Sequence, residues 1–304
     1  MSVSVLDLNR HSSRHSMLPP NYEATQEIEL SRLSPASSSI NTLPEYTALY
    51  NNITSSSSTS SDFYPTRQLQ IQAQGFPLIS FPLPPQPDPI YIFNVAPTGE
   101  LGEAEYVSIR PARCSGSCFL ARANDATQAA LCTTTYRFGP GKSPKMRLLG
   151  NELSQEASSE EIEVNSKGMF TRSIVMRTLL GTFEWRYSSR SERRSVQTSL
   201  GEEVNCLLIL DQVMNVAVAG GKQEKRRRRI GQFVRGSGIR TPGSKKSTAG
   251  NGGRLMLDLR EWIDRKNEAT EVEIFAVASC VLMMKKEVDR RRMHQAAAIG
   301  AAGS

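Results

Sequence analysis

The sequence predicts a mainly β protein: a closed antiparallel β-barrel around a buried hydrophobic C-terminal α-helix, preceded by a disordered N-terminal arm. Three observations carry this. From Ile274 to Met284 the chain holds no charge and a single hydroxyl, Ser279, and it turns abruptly basic at Lys285 and Lys286. A helix apolar on every side must be surrounded by lipid or by protein. A membrane span needs roughly 20 such residues; this run is much shorter, so no transmembrane span is predicted and the helix belongs in a protein core. Second, the chain ahead of it reads as short strands punctuated by turn residues. Third, residues 1–89 show no apolar period. Wrapping the strands round the helix reconciles the first two. Closure removes the exposed edges of an antiparallel sheet, and a wide barrel needs filling.

Residues 1–89 are the arm, rich in Ser, Thr, Pro, Asn and Gln, with an unbroken hydroxyl tract from Thr54 to Ser61. Scattered apolar residues offer no face whose burial would offset the entropy of ordering. The arm ends in a proline cluster, Pro77 to Pro89, which favours polyproline II and a stiff spacer.

The barrel domain is placed at 90–294. Ile90–Val95 is β-rich and runs into a Pro97-Thr98-Gly99 turn. Further strands are expected at Tyr106–Arg110, Cys118–Ala121, Ala130–Phe138 and Lys145–Leu149. Ser154–Asn165, acidic and Ser-rich, reads as an exposed loop with some helical character. Gly181–Ser188 alternates: Phe183, Trp185 and Tyr187 on one face, Glu184, Arg186 and Ser188 on the other. Asn205–Val213, Ile230–Arg235 and Arg254–Leu259 follow as strands, and Phe275–Arg292 as the helix. Residues 295–304 are an Ala/Gly tail expected to fray.

Charge is unevenly spread. Residues 1–89 carry 4 Lys/Arg and 7 Asp/Glu, a net of −3, whereas the rest carries 33 against 23, a net of +10. A basic folded part points to anionic partners, with solubility alone as the plain alternative. Five irregularly spaced cysteines, Cys280 among them inside the apolar helix, read as free thiols. The first residues lack a basic region followed by an apolar one. The expected location is cytoplasmic and peripheral to a membrane, with the nucleus as alternative. The Asn52-Ile53-Thr54 sequon carries no meaning there.

Gly181-Thr182-Phe183-Glu184-Trp185-Arg186-Tyr187, Ala249-Gly250-Asn251-Gly252-Gly253-Arg254-Leu255 and the helix Phe275–Arg292 resemble the tubby C-terminal-like superfamily. That group includes tubby proteins, phospholipid scramblases and LURP-one-related proteins; its uncharacterised fungal members look most similar. The resemblance covers Ile90–His294 and implies a barrel round a central hydrophobic helix. The phosphoinositide-binding loop of tubby proteins has no residue-by-residue counterpart here, and the acidic calcium-binding segment proposed for scramblases is not recognisable.

Enzyme chemistry is poorly provided for. The histidines are His11, His15 and His294, all outside the main body of the predicted fold. Ser-His, Cys-His and His-metal arrangements therefore have no histidine there. Glu184, Asp211 and Asp258 sit in strands, where such residues meet solvent or a cross-strand partner. Cys114 and Cys118 lack the second ligand pair that zinc needs. Gly141-Lys142-Ser143 has Tyr136 where a phosphate loop needs glycine, and Pro144 follows. Gly236-Ser237-Gly238 and Gly250–Gly253 read as turns needing positive φ. No catalytic residue, metal or cofactor is predicted.

Two motifs carry the functional reading. Lys225, Arg226, Arg227, Arg228 and Arg229 form the densest charge, expected in a loop or at a strand entrance, with Arg235, Arg240, Lys245 and Lys246 as extensions of the patch. Such a run can meet anionic phospholipid, act as a nuclear-import signal, touch nucleic acid, or be an ordinary solvated loop. Nucleic acid is disfavoured because no aromatics are interleaved for stacking. Lys285, Lys286 and Arg290–Arg292 are expected to complement a helix C-terminus and to mark where the helix leaves the barrel. In the arm, Pro19-Pro20-Asn21-Tyr22 fits the PPxY pattern bound by WW domains, as in HECT-type ubiquitin ligases. Leu43–Tyr46 is a degenerate copy, and Ser34 and the Thr54–Ser61 tract suit phosphorylation. The function expected is an adaptor that meets phosphoinositide-bearing membrane and recruits a WW-domain protein. The alternatives are a nuclear or cytosolic scaffold and a scramblase-like lipid-handling protein.

Overall fold

A computed structural model describes residues 63–76, 89–110, 116–136, 143–149, 160–167, 171–218, 222–265 and 267–302. The PPxY motif at Pro19, Pro20 and Tyr22, with the rest of 1–62, lies outside them. Twelve strands form one closed antiparallel barrel. They are β1 (Arg67–Gln72), β2 (Ile90–Val95), β3 (Leu101–Ile109), β4 (Cys118–Arg122), β5 (Ala130–Thr135), β6 (Lys145–Leu148), β7 (Glu160–Ser166), β8 (Ile174–Thr178), β9 (Gly181–Tyr187), β10 (Val204–Val218), β11 (Lys222–Gly236) and β12 (Gly253–Leu257). A helix, α1 (Arg190–Leu200), interrupts the meander after β9, and α2 (Glu268–Ala302) ends the described chain.

Each strand pairs with its sequence neighbour, and β1 closes the circle by pairing with both β2 and β12. The barrel therefore begins in a segment expected to be arm. Its signal is faint: in Arg67-Gln-Leu-Gln-Ile-Gln72 only Leu69 and Ile71 are apolar, yet they alternate, and both are completely buried. Arg67 adds a polar anchor, its Nε 3.2 Å from Glu273 of α2, with Glu105 and Asn94 also bound. Without β1, β2 and β12 would be open edges.

The inner face is apolar on all twelve strands, with Leu69, Ile92, Tyr106, Cys132, Trp185 and Leu255 among its residues. They enclose α2, which is buried without a break from Val272 to Lys285. Several polar groups inside are paired. Trp185 Nε1 donates to Ser279 Oγ at 2.9 Å, and Tyr106 OH donates to Glu273 at 2.8 Å. Phe183 stacks at a tilt on Phe275, 4.8 Å between ring centres. Near the far end Glu287 accepts from Tyr187 at 2.6 Å and from Arg235 at 2.6 Å. Gly250, at φ +68°, lets its loop lie against α2; a Cβ there would stand 2.6 Å from Val288 Cγ2. Gly252 and Gly253 do not take positive φ; a side chain at Gly252 would collide with the Ile71 carbonyl at 2.0 Å.

Other expectations need correction. Ser154–Asn165 was expected as a loop, but its end belongs to strand β7, whose Ile162 and Val164 alternate inward. Neither β8 nor α1 was anticipated. The helix continues to Ala302 instead of fraying at 295, so Lys285 and Arg290–Arg292 lie within it, where it leaves the barrel, not at its C-terminus. Lys285 is buried, 2.9 Å from Asp289, and its ammonium faces the Tyr136 ring.

Candidate functional site

The outer wall bears a second, smaller apolar cluster. Val196 and Leu200 of α1 pack on Leu207, Ile209, Val234 and Met256 of β10–β12, and Phe63 joins them. The helix is locally well specified. Ser189 Oγ accepts from Glu192 N–H, Glu192 carboxylate accepts from Ser189 N–H, and Gly201 at φ +68° caps the other end. Between α1 and the wall lies a pocket of about 900 Å³.

The pocket's polar groups come from alternating outward positions. Arg186 of β9 donates to Asp211 at 2.6 Å and forks onto both oxygens of Glu192 at 3.0 and 2.7 Å. Arg229 reaches Glu192 at 3.0 Å, and Arg227 reaches Glu184 at 3.1 Å, where Lys167 also binds. Hydrogen bonds from Arg186 hold Glu192 down at about 2. Two groups are left over. Arg254 has no ion-pair partner among the described residues: its Nε is buried without an acceptor, and only the Gly99 carbonyl stands near, at 3.5 Å. Burial accordingly lowers its pKa, against a weak pull from Glu202. Gln232 is 5 % exposed; its amide nitrogen meets Met256 sulfur, while its Oε1 is buried with no donor. Ser191, Ser195 and Ser199, four residues apart, present hydroxyls along the α1 side of the same pocket.

The predicted basic patch is placed differently from expectation. Lys225–Arg229 is neither loop nor entrance; it lies inside β11, paired residue by residue with Asp211–Asn215 of β10. Alternation splits it. Arg229, Arg227 and Lys225 face out, whereas Arg228 faces the barrel end, bound to Glu261 and over the Trp262 ring. Beyond Val213, β10 leaves β9, and β11 pairs with β12 only at Gly231–Val234. Residues 214–218 and 222–226 therefore form a two-stranded ribbon that projects from the barrel. Lys225 and Arg226 are exposed on it; Arg226 leans on Glu224 at 3.4 Å, and Lys225 has no ion-pair partner among the described residues. Arg235 is no surface cation at all: it is buried against Glu287 and Asn251. Arg240, Lys245 and Lys246 lie past the other end of β11, roughly 36 Å of strand from Lys225. Lys246 there is tied to Glu203 at 3.0 Å. The nine cations do not make one patch.

The carboxylates considered for chemistry are Glu184, Asp211 and Asp258. All three are buried in ion pairs, with Arg227, Arg186 and Arg260 respectively. Four described cysteines are free, and burial pushes the Cys132 thiol up to about 12. Cys114 lies outside the described residues. Among the described residues no cluster of His, Cys, Asp or Glu could hold a metal, and no helix is long and apolar enough to cross a membrane. Sequence reasoning missed the pocket because it missed α1. The signal was present: Ser189 and Glu192 are spaced as a capping box, with Gly201 as stop. Comparison with family models, with curated proteins and with solved structures found no match to this chain.

Proposed function

We propose that this chain is a non-enzymatic adaptor that meets anionic phospholipid at the projecting β10–β11 ribbon and recruits a WW-domain protein through Pro19-Pro20-Asn21-Tyr22. The carrying observation is the ribbon itself: a cationic hairpin standing clear of the barrel, with Lys225 and Arg226 exposed on it. Near a charged membrane each such cation contributes about 1 kcal/mol. The likeness to tubby-like barrels is part of this proposal, because that superfamily would require a helix-filled antiparallel barrel. The proposed location is cytoplasmic and peripheral to membrane. An import signal is a poorer fit, since the Lys225–Arg229 backbone is committed to a ladder and Arg227–Arg229 to ion pairs. A lipid-moving role for α2 would require withdrawing its apolar surface from twelve strands.

The test is co-sedimentation of the full chain with phosphoinositide-containing and neutral vesicles across a salt series. The full chain is needed because a fragment starting at residue 89 would lack β1. Selective binding that weakens with salt is expected, and Lys225→Ala with Arg226→Ala should weaken it about thirtyfold, from two contacts of about 1 kcal/mol. Equal binding to neutral vesicles, or no binding at low salt, removes the membrane reading.

A further inference from the structure

We propose that the pocket under α1 is the docking site for the chain's own Ser56–Ser61 tract in phosphorylated form. The pocket asks for a ligand carrying both an acceptor and a donor. Arg254 Nε lacks an acceptor and Gln232 Oε1 lacks a donor, both buried in the one pocket. Gln232 and Arg254 are diagonal neighbours on β11 and β12, about 7 Å apart at Cβ. A phosphorylated peptide supplies both partners: phosphate oxygens for the guanidinium and a backbone N–H for the amide oxygen. The pocket is also a slot. Its α1 wall runs from Ser191 to Leu200, about 13 Å at the helical rise, the span of about four extended residues.

The chain delivers such a segment to the pocket mouth. Phe63 and Pro65 are part of the pocket wall, and the Arg229 guanidinium lies over the Phe63 ring. Ser56 to Ser61 are six consecutive hydroxyl residues ending two positions before Phe63. At about 3.5 Å per residue, every one of them is within about 25 Å of Phe63. A tether this short gives an effective concentration in the millimolar range, so even a weak contact closes. The unmodified tract has no charge to offer Arg254, so docking depends on modification. The step belongs to a protein serine/threonine kinase with ATP. The serine Oγ attacks the γ-phosphorus, the bond to the ADP oxygen breaks, and the hydroxyl proton passes to the kinase's base. Docking would then tie Ser56–Ser61 to the pocket under α1. The proposal does not depend on membrane binding.

The experiment places phosphoserine at Ser56, Ser58 or Ser60 of the full chain by biosynthetic incorporation, and titrates the phosphate by phosphorus NMR. A free phosphoserine has a second pKa of about 6. Contact with Arg254 should lower it by about half a unit or more in at least one of the three proteins, since an opposing charge favours the dianion. The shift should vanish in Arg254→Gln, and also in Ser195→Trp, which fills the slot from an exposed helical position. If all three phosphates titrate as in a short peptide of the same sequence, the proposal is overturned, including the case where Arg254→Gln lowers vesicle binding and the slot serves lipid headgroups. A shift that survives either variant puts the phosphate elsewhere and overturns it as well.

Discussion

On the inner face of the barrel wall, side chains from all twelve strands meet α2, and the described polar groups Trp185, Tyr106 and Glu287 find partners there. On the outer face, beneath α1, Arg254 and Gln232 keep buried atoms without partners. The difference lies in access. Each unmet buried group costs about 1–3 kcal/mol, and the interior holds such groups too, Arg235 Nε and Asp289 Oδ2 among them, but walled in by strands and α2. The groups beneath α1 border a pocket that a ligand or water can enter. The basic run shows the same division within one strand: Arg228 is spent on Glu261 and Trp262, while Lys225 and Arg226 stand exposed on the ribbon.

The strongest attempt to break the comparison is a charge on the inner side. Met283 is 1 % exposed within α2. Met283→Asp should cost at least about 4 kcal/mol, as an unpaired buried charge does, against total stabilities of about 5–15 kcal/mol. The expected result is a chain without a cooperative thermal transition by circular dichroism. A folded variant with an unchanged melting temperature would mean that α2 is not held inside the barrel.

The inner face was also the legible one. An uninterrupted apolar helix and strict alternation in Phe183-Glu-Trp-Arg-Tyr187 both follow from burial, which acts residue by residue on composition. β1 was hidden because two apolar residues among four polar ones are too few to register alone; they become a strand only when β12 and β2 are present to pair with them. The outer pocket was not legible for a further reason. Arg186, Gln232 and Arg254 come from three strands, and no spacing in one dimension brings them together. The run Lys225–Arg229 misled for the opposite cause: five cations in sequence suggest one surface, but strand geometry sends alternate ones to opposite faces.

A smaller effect sharpens the outer side. Glu192 binds Arg186 and Arg229 and caps α1, so its folded pKa, about 2, lies well below the usual 4.5. A depressed carboxylate contributes stability that is complete above the unfolded value and lost as pH falls toward the folded one. Thermal melts of the wild type and Glu192→Gln should therefore differ most above about pH 5, and converge between about pH 4.5 and pH 2. A gap independent of pH would show that the carboxylate charge is not what fastens α1 to the wall.

The smallest effect is the most discriminating between the two kinds of surface. Lys225 and Arg226 lie on the part of β11 that has left β12, so their side chains stabilise little within the barrel. The Arg226–Glu224 contact, more than half exposed on both partners, is worth next to nothing once solvent screens it. Replacing both by alanine should move unfolding free energy by no more than about 0.5 kcal/mol, as surface changes do. The same double variant is expected to weaken vesicle binding about thirtyfold. Chemical denaturation read beside sedimentation decides it. If stability falls as steeply as binding, the ribbon is part of the fold's own support. If stability holds while binding falls, the two cations are surplus to the barrel and available to an anionic partner.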